Sequence, residues 1–153
     1  MNASEQPTQF KTPLVVPAGA GPDYDWSADH VYVKTPGAFT DGAVTIVEDT
    51  LKPGFHLARH HHQRMSELFY ILEGEVTFVF DDTTTVASVG MIVNVPPNVR
   101  HEVRCEQGGR LLTIFTPGGF DEYLASCASL TAEQAADAAL QADLAQRYDI
   151  WPD

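Results

Sequence analysis

Cysteine and basic side chains are both scarce in this sequence. Two cysteines in 153 residues, Cys105 and Cys127, cannot form a disulfide framework. The fold must therefore rest on a buried apolar core, and both thiols are expected to be reduced. Nine lysines and arginines face 21 acidic residues, a net charge of -12. Such a balance repels phosphate backbones and anionic lipid, so neither nucleic acid nor membrane is an expected partner. No apolar run approaches the roughly 20 residues of a spanning helix. Met1–Gln6 lacks the basic start and apolar stretch of a secretory signal. A cytoplasmic location is the resulting expectation. Repeats and low-complexity segments are absent too, and a hydrophobic content of 44% is that of one globular domain.

What is present is a succession of short β-prone runs. They cover approximately 31–34, 43–51, 55–58, 67–72, 76–80, 84–88, 91–95, 102–105 and 111–115. Turn residues divide them, among them Pro36-Gly37, Asp41-Gly42, Pro53-Gly54, Glu73-Gly74 and Pro96-Pro97-Asn98. Short strands at even spacing with no intervening helix pattern indicate an antiparallel sandwich or barrel. Residues 1–30 are rich in proline and glycine and read as an irregular arm, with a short strand at Leu14-Val15-Val16. Residues 31–117 form the barrel and 118–153 a helical extension. In that extension a short helix is predicted over Phe120–Ala128. A second starts at the capping box Thr131-Ala132-Glu133-Gln134 and runs to about Tyr148, with an apolar stripe of Ala136, Leu140, Leu144 and Tyr148.

Within the β-rich part, His60, His62, Glu67 and His101 are candidate metal ligands. Histidines at i and i+2 on a strand share one face and can converge on a single ion. Glu67 rejoins that face if Gln63-Arg64-Met65-Ser66 makes a bend. Imidazole with carboxylate suits a divalent transition ion: iron, nickel, manganese, cobalt or zinc. His61 has the opposite parity and should point away. His56 shares the ligands' parity and is a candidate for the cavity mouth, His30 reads as surface, and Gln63 as exposed beside the ligand turn. Phe69, Ile71, Phe78, Phe80, Met91, Val93 and Phe115 are candidates for an apolar interior wall.

These residues resemble the cupin superfamily. Gly54, His60, His62, Glu67 and Gly74 fill every fixed position of its first motif, and Gly90, Pro96 and His101 match its second. Asn98 stands where the family has glycine and Cys105 where it has asparagine. Asparagine tolerates left-handed backbone better than other non-glycine residues, so the turn should survive. Cys105 lies outside the ligand set. More loosely, Phe115–Tyr123 and the tail Leu144–Asp149 are similar to segments of quercetin 2,3-dioxygenase-like single cupins.

The resemblance implies an all-β double-stranded β-helix, a jelly-roll barrel, with a C-terminal helical extension. It also implies one divalent transition metal ion held by His60, His62, Glu67 and His101, and a homodimer. The expected activity is a metal-dependent dioxygenase acting on an aromatic or polyphenolic hydroxylated small molecule, with Glu67 as proton acceptor. An oxygen-independent polyketide cyclase or isomerase and a non-catalytic small-molecule-binding cupin are the alternatives. Whether Glu67 serves as ligand, base or both stays open at this level.

Overall fold

The computed structural model describes residues 12–153, so Met1–Gln6 and the start of the proline-rich arm lie outside the described residues. All nine anticipated β-runs are strands. They are β2 (Asp29–Thr35), β3 (Thr45–Leu51), β4 (Phe55–His61), β5 (Ser66–Glu73), β6 (Glu75–Val79), β7 (Thr84–Ser88), β8 (Ile92–Val95), β9 (His101–Cys105) and β10 (Gly109–Thr116). Two more short strands occur among the described residues, β1 (Asp23–Asp25) and β11 (Trp151–Pro152). The strand expected at Leu14-Val15-Val16 does not form. Leu14 and Val15 are exposed. Asp23–Asp25 pairs with β2 instead, despite its acidic sequence.

The strands make two antiparallel sheets, in the orders β1-β2-β3-β10-β5-β8 and β11-β4-β9-β6-β7. Alternation along each strand builds the interior. Thr45, Val47 and Leu51 of β3, Glu67, Phe69 and Ile71 of β5, and Leu111, Thr113 and Phe115 of β10 are all buried. One cluster, including Phe69, Ile71, Phe78, Val103 and Leu111, fills one end of the barrel. A second, including Val31, Val47, Met65, Phe115 and Leu124, joins the barrel to the helical extension.

In β4 the register to β9 slips by one residue between Leu57 and His60. Two residues on one strand then oppose one on its partner, which bends the strand and changes which parity faces inward. Phe55 is buried while His56 is exposed, and beyond the bulge His60 and His62 are buried. The expected shared parity of His56 with the ligands is thereby broken.

The extension forms α1 (Phe120–Ala128), α2 (Ala132–Ala136) and α3 (Ala138–Arg147). The single helix expected from Thr131 to Tyr148 is split at Asp137. The capping box at Thr131 and Gln134 is present. Asp137, however, takes extended backbone and accepts hydrogen bonds from the Ala139 and Leu140 amides, starting a new helix. Its short side chain competes with the helical ladder, and α2 buries no residue that would hold the ladder together.

Gly74, in the turn between β5 and β6, has a φ of 78°, and a Cβ there would sit 2.7 Å from the Gly108 carbonyl oxygen. Left-handed backbone and the clash with main chain act together. Gly74→Ala is expected to lose roughly 2–4 kcal/mol of unfolding free energy, measured by urea denaturation; a loss below about 0.5 kcal/mol would contradict this account.

Candidate metal centre

His60 lies near the end of β4, His62 just beyond it, and His101 opens β9 directly opposite His60 in the ladder. All three come from one sheet. Glu67 comes from β5 in the other sheet, where it is flanked by Phe115 and Val95 in register. The centre therefore bridges the two layers. The bend expected at Gln63–Ser66 carries the chain from one sheet to the other.

The four ligand atoms lie within 4.8 Å of one another, and all four residues are buried. Glu67 Oε2 is 2.9 Å from His62 Nε2, 2.9 Å from His101 Nε2 and 3.9 Å from His60 Nε2. Ligand atoms about 2.1 Å from a shared ion stand about 3.0 Å apart at right angles and about 3.4 Å apart at tetrahedral angles. The donor set fits one first-row ion with little movement, and it leaves positions open because four protein donors do not fill an octahedron.

Backbone carbonyls fix the imidazole tautomers. His60 Nδ1 donates to the Ala58 carbonyl at 2.9 Å, His101 Nδ1 to Val99 at 3.0 Å, and His62 Nδ1 to Asp149 at 2.8 Å. Each ring is left presenting Nε2 to the centre, as a ligating histidine requires.

The electrostatics follow from enclosure and pairing. Burial alone would raise the Glu67 carboxyl, but hydrogen bonds from His101 and His62 outweigh it and hold the group well below the usual carboxylate range. Burial pushes His60 below the ordinary imidazole value, with Glu67 opposing it. For His62 burial also acts downward, yet its hydrogen bond to Glu67 wins and the net direction is upward.

The other candidates separate clearly. His61 pairs in the ladder with Trp151 and is outside the cluster. His30 bonds Asp23 at 2.7 Å, away from the centre. Gln63 is exposed. His56 lines the cavity beside the centre and bonds Glu102 at 2.9 Å. Asn98 has the left-handed φ expected of it, 65°, and its amide donates to the His62 carbonyl. Cys105 is buried in the core.

A cavity of about 500 Å³ reaches Glu67, with Phe69, Phe115, Phe120, Tyr123 and Leu124 among its walls. Of the anticipated wall residues, only Phe69 and Phe115 line it. Ile71 and Phe78 are packed core, with Phe80 and Val93 against them. Met91 is a correction: it is 41% exposed. It sits in the turn before β8, where its sulfur accepts from the Ser88 amide, so strand alternation does not apply to it.

Sequence reading missed three aspartates. Asp29 and Asp49 line the cavity from β2 and β3. Burial and the neighbouring Asp29 push the Asp49 carboxyl up to about 8. The available signal was an acidic residue in the inward row Thr45, Val47, Asp49, Leu51. Asp149 is buried and carries the His62 contact described above. Its position directly after a helix, where glycine is usual, was the one clue.

Comparison with known proteins agrees with this geometry. Residues 47–115 match the cupin domain family model. A curated relative, quercetin 2,3-dioxygenase of Bacillus subtilis (strain 168), is 28% identical over 85 residues, 55% of this chain. The aligned part is 25% of that relative's length. Among solved structures, an RmlC-like cupin from Shewanella frigidimarina NCIMB 400 superposes with a TM-score of 0.63 at 22% identity, over 72% of this chain and 96% of that one. KdgF from Halomonas sp. gives 0.59 at 14%, over 66% and 92%. A Streptomyces PAC13 variant with uridine gives 0.58 at 17%, over 72% and 87%. At these identities the superpositions speak for the fold alone. No helix among the described residues is long and apolar enough to cross a membrane. Two-sheet topology, buried donor set and matched segment agree: residues 47–115 are similar to the cupin domain family, and the barrel has the fold of solved cupins.

Proposed function

We propose that this cupin is a metal-dependent dioxygenase acting on a hydroxylated aromatic or polyphenolic small molecule. The observation that carries the reading is Glu67, shared by the buried three-histidine cluster and an aromatic-walled cavity of about 500 Å³. That volume lies within the range of small-molecule sites. His60, His62, Glu67 and His101 would hold the ion, which supplies Lewis acidity and, in a redox-active metal, electron transfer. Likeness to quercetin 2,3-dioxygenase supports an aromatic substrate, and the PAC13 structure with uridine supports a ring-sized ligand in this barrel.

The chain's own residues do the positioning. Phe69 and Phe115 offer flat apolar surfaces beside Glu67. Glu67 is ionised, the form able to accept a proton from a substrate hydroxyl. Burial of the centre keeps bulk water away from the reacting end. A homodimer belongs to the same reading, supported by exposed Val86, Val89, Met91 and Ile92 along β7, β8 and the turn between them.

One observation favours the oxygen-independent isomerase or cyclase reading. With a value near 8, Asp49 carries a proton at neutral pH and could donate it within the cavity. Elemental analysis and oxygen uptake decide between the two. The dioxygenase reading expects about one iron, nickel, manganese or cobalt per chain, lost in His101→Ala, and oxygen consumed in step with flavonol turnover. Turnover undiminished without oxygen would transfer the assignment to the second reading. Purified wild-type protein that takes up no ion would remove both.

Asp49 also predicts a pH dependence of stability. Its folded value near 8 lies above its unfolded value of about 4, so the native state binds an extra proton between those limits. Its contribution falls as pH rises from about 4 to about 8 and is constant beyond. His62, raised above the ordinary imidazole value, loses stability in the upper part of that window too. The informative quantity is therefore the difference between wild type and Asp49→Asn. The variant is expected to gain roughly 1–3 kcal/mol relative to wild type between pH 5 and pH 8.5, read from denaturation curves. Parallel pH profiles would refute the elevated Asp49 value.

A further inference from the structure

We infer that Asp149, in the C-terminal tail, is a positioning residue for the metal centre, so that docking of the tail and binding of the ion are one coupled equilibrium. The inference rests on the metal reading proposed above and adds a residue to it.

His60 and His101 are oriented by carbonyls only two residues earlier in the chain, Ala58 and Val99. His62 is oriented by Asp149, 87 residues later in the chain. The same residue grips the ligand bend with its carboxylate. Oδ1 accepts from the Gln63 amide at 2.9 Å, and Oδ2 from the Arg64 amide at 2.9 Å and the Met65 amide at 2.8 Å. Trp151 Nε1 donates to Oδ1 at 3.1 Å. Three successive amides of the segment joining His62 to Glu67 are thus held by one side chain that is 4% exposed. Beyond it, Trp151 and Pro152 pair with His61 and His60, adding a short edge strand beside the ligand-bearing one.

Local backbone chemistry argues the same way. Asp149 lies two residues past the last residue of α3, with a φ of 65°. Its amide donates to Gln146 and the Ile150 amide to Ala145, the paired bonds of a helix terminus that ordinarily has glycine at this position. Glycine would satisfy the helix end with less strain. What aspartate adds is the carboxylate, and all its amide donors belong to the ligand bend. A side chain that departs from local preference while serving a site is the pattern expected of a functional position.

Because free energies of binding are reciprocal, an ion that prefers the ordered ligand bend must also stabilise the docked tail. Outer-shell partners of ligating histidines typically change metal affinity about 10- to 100-fold.

Co²⁺ titration of the full chain, followed by its visible absorption, tests this on wild type, Asp149→Asn and Asp149→Gly. Glycine fits the left-handed position and keeps the carbonyl to His62 while removing the carboxylate, so a folded protein is expected. Both variants should bind Co²⁺ about 10- to 100-fold more weakly than wild type with an altered absorption band. Folded variants with lowered Tm but Co²⁺ affinity within twofold of wild type would show a merely structural role and overturn the inference. Hydrogen exchange on wild-type protein covers the case of variants that do not fold. Amides of residues 145–153 should exchange more slowly with Co²⁺ bound, and an unchanged rate would overturn the coupling. Wild-type protein that binds no Co²⁺ overturns the metal reading, and this inference falls with it; wild-type binding with unimpaired variants overturns this inference alone.

Discussion

Everything at the centre depends on where three Nδ1 protons go. Each is given to a backbone carbonyl, which leaves Nε2 of His60, His62 and His101 facing a shared point with Glu67. Four polar groups enclosed this way would be costly to bury without partners. Backbone carbonyls satisfy one side of each ring; on the other, Nε2 of His62 and of His101 lies 2.9 Å from Glu67, a hydrogen bond when the ring is protonated and a pair of donor atoms for an ion when it is neutral. The barrel is what makes this possible: the two sheets bring β4 and β9 to one side and β5 to the other, with Glu67 the link between them.

Much of this was legible in the sequence because it is carried by short-range rules. The nine principal strands follow from alternation punctuated by turn residues, and the donor set follows from strand parity and motif spacing. What could not be read was carried by long-range events. The bulge in β4 changes the inward parity between Leu57 and His60, which no local pattern announces, and it sets Phe55 rather than His56 inside. Met91 kept the right parity but sits outside the strand that gives parity meaning. The split at Asp137 was a contest between a side-chain cap and a helical ladder, decided by the absence of burial along α2.

The tail shows the same limit at larger scale. Residues after the barrel read as a helical extension, and helices are what most of them form. Their contribution to the site lies in Phe120, Tyr123 and Leu124, which wall the cavity, and in the turn after α3, which reaches the ligand bend. Phe120 stacks on Phe115 with ring centroids 4.0 Å apart, so the extension and the barrel share one aromatic surface. A cavity built jointly by a β-barrel and later helices cannot be deduced from either segment alone.

Two carboxyl environments coexist in that cavity. Glu67 and Asp49 are both enclosed, and enclosure alone would push both toward the neutral form. They part because their neighbours differ: Glu67 meets imidazole donors, whereas Asp49 meets another carboxyl, Asp29. The first stays ionised and the second keeps its proton. In β-sheet register Glu67 is level with Phe115 and Thr45, and Asp49 lies further along β3. Two strand spacings and four residues separate them, about 16 Å along the sheet before curvature and side-chain reach shorten it. One cavity is thus lined by an anionic acceptor near the candidate ion and a neutral donor further along the sheet. Opposed protonation states placed across one apolar cavity are how a protein assigns acid and base roles to chemically identical groups.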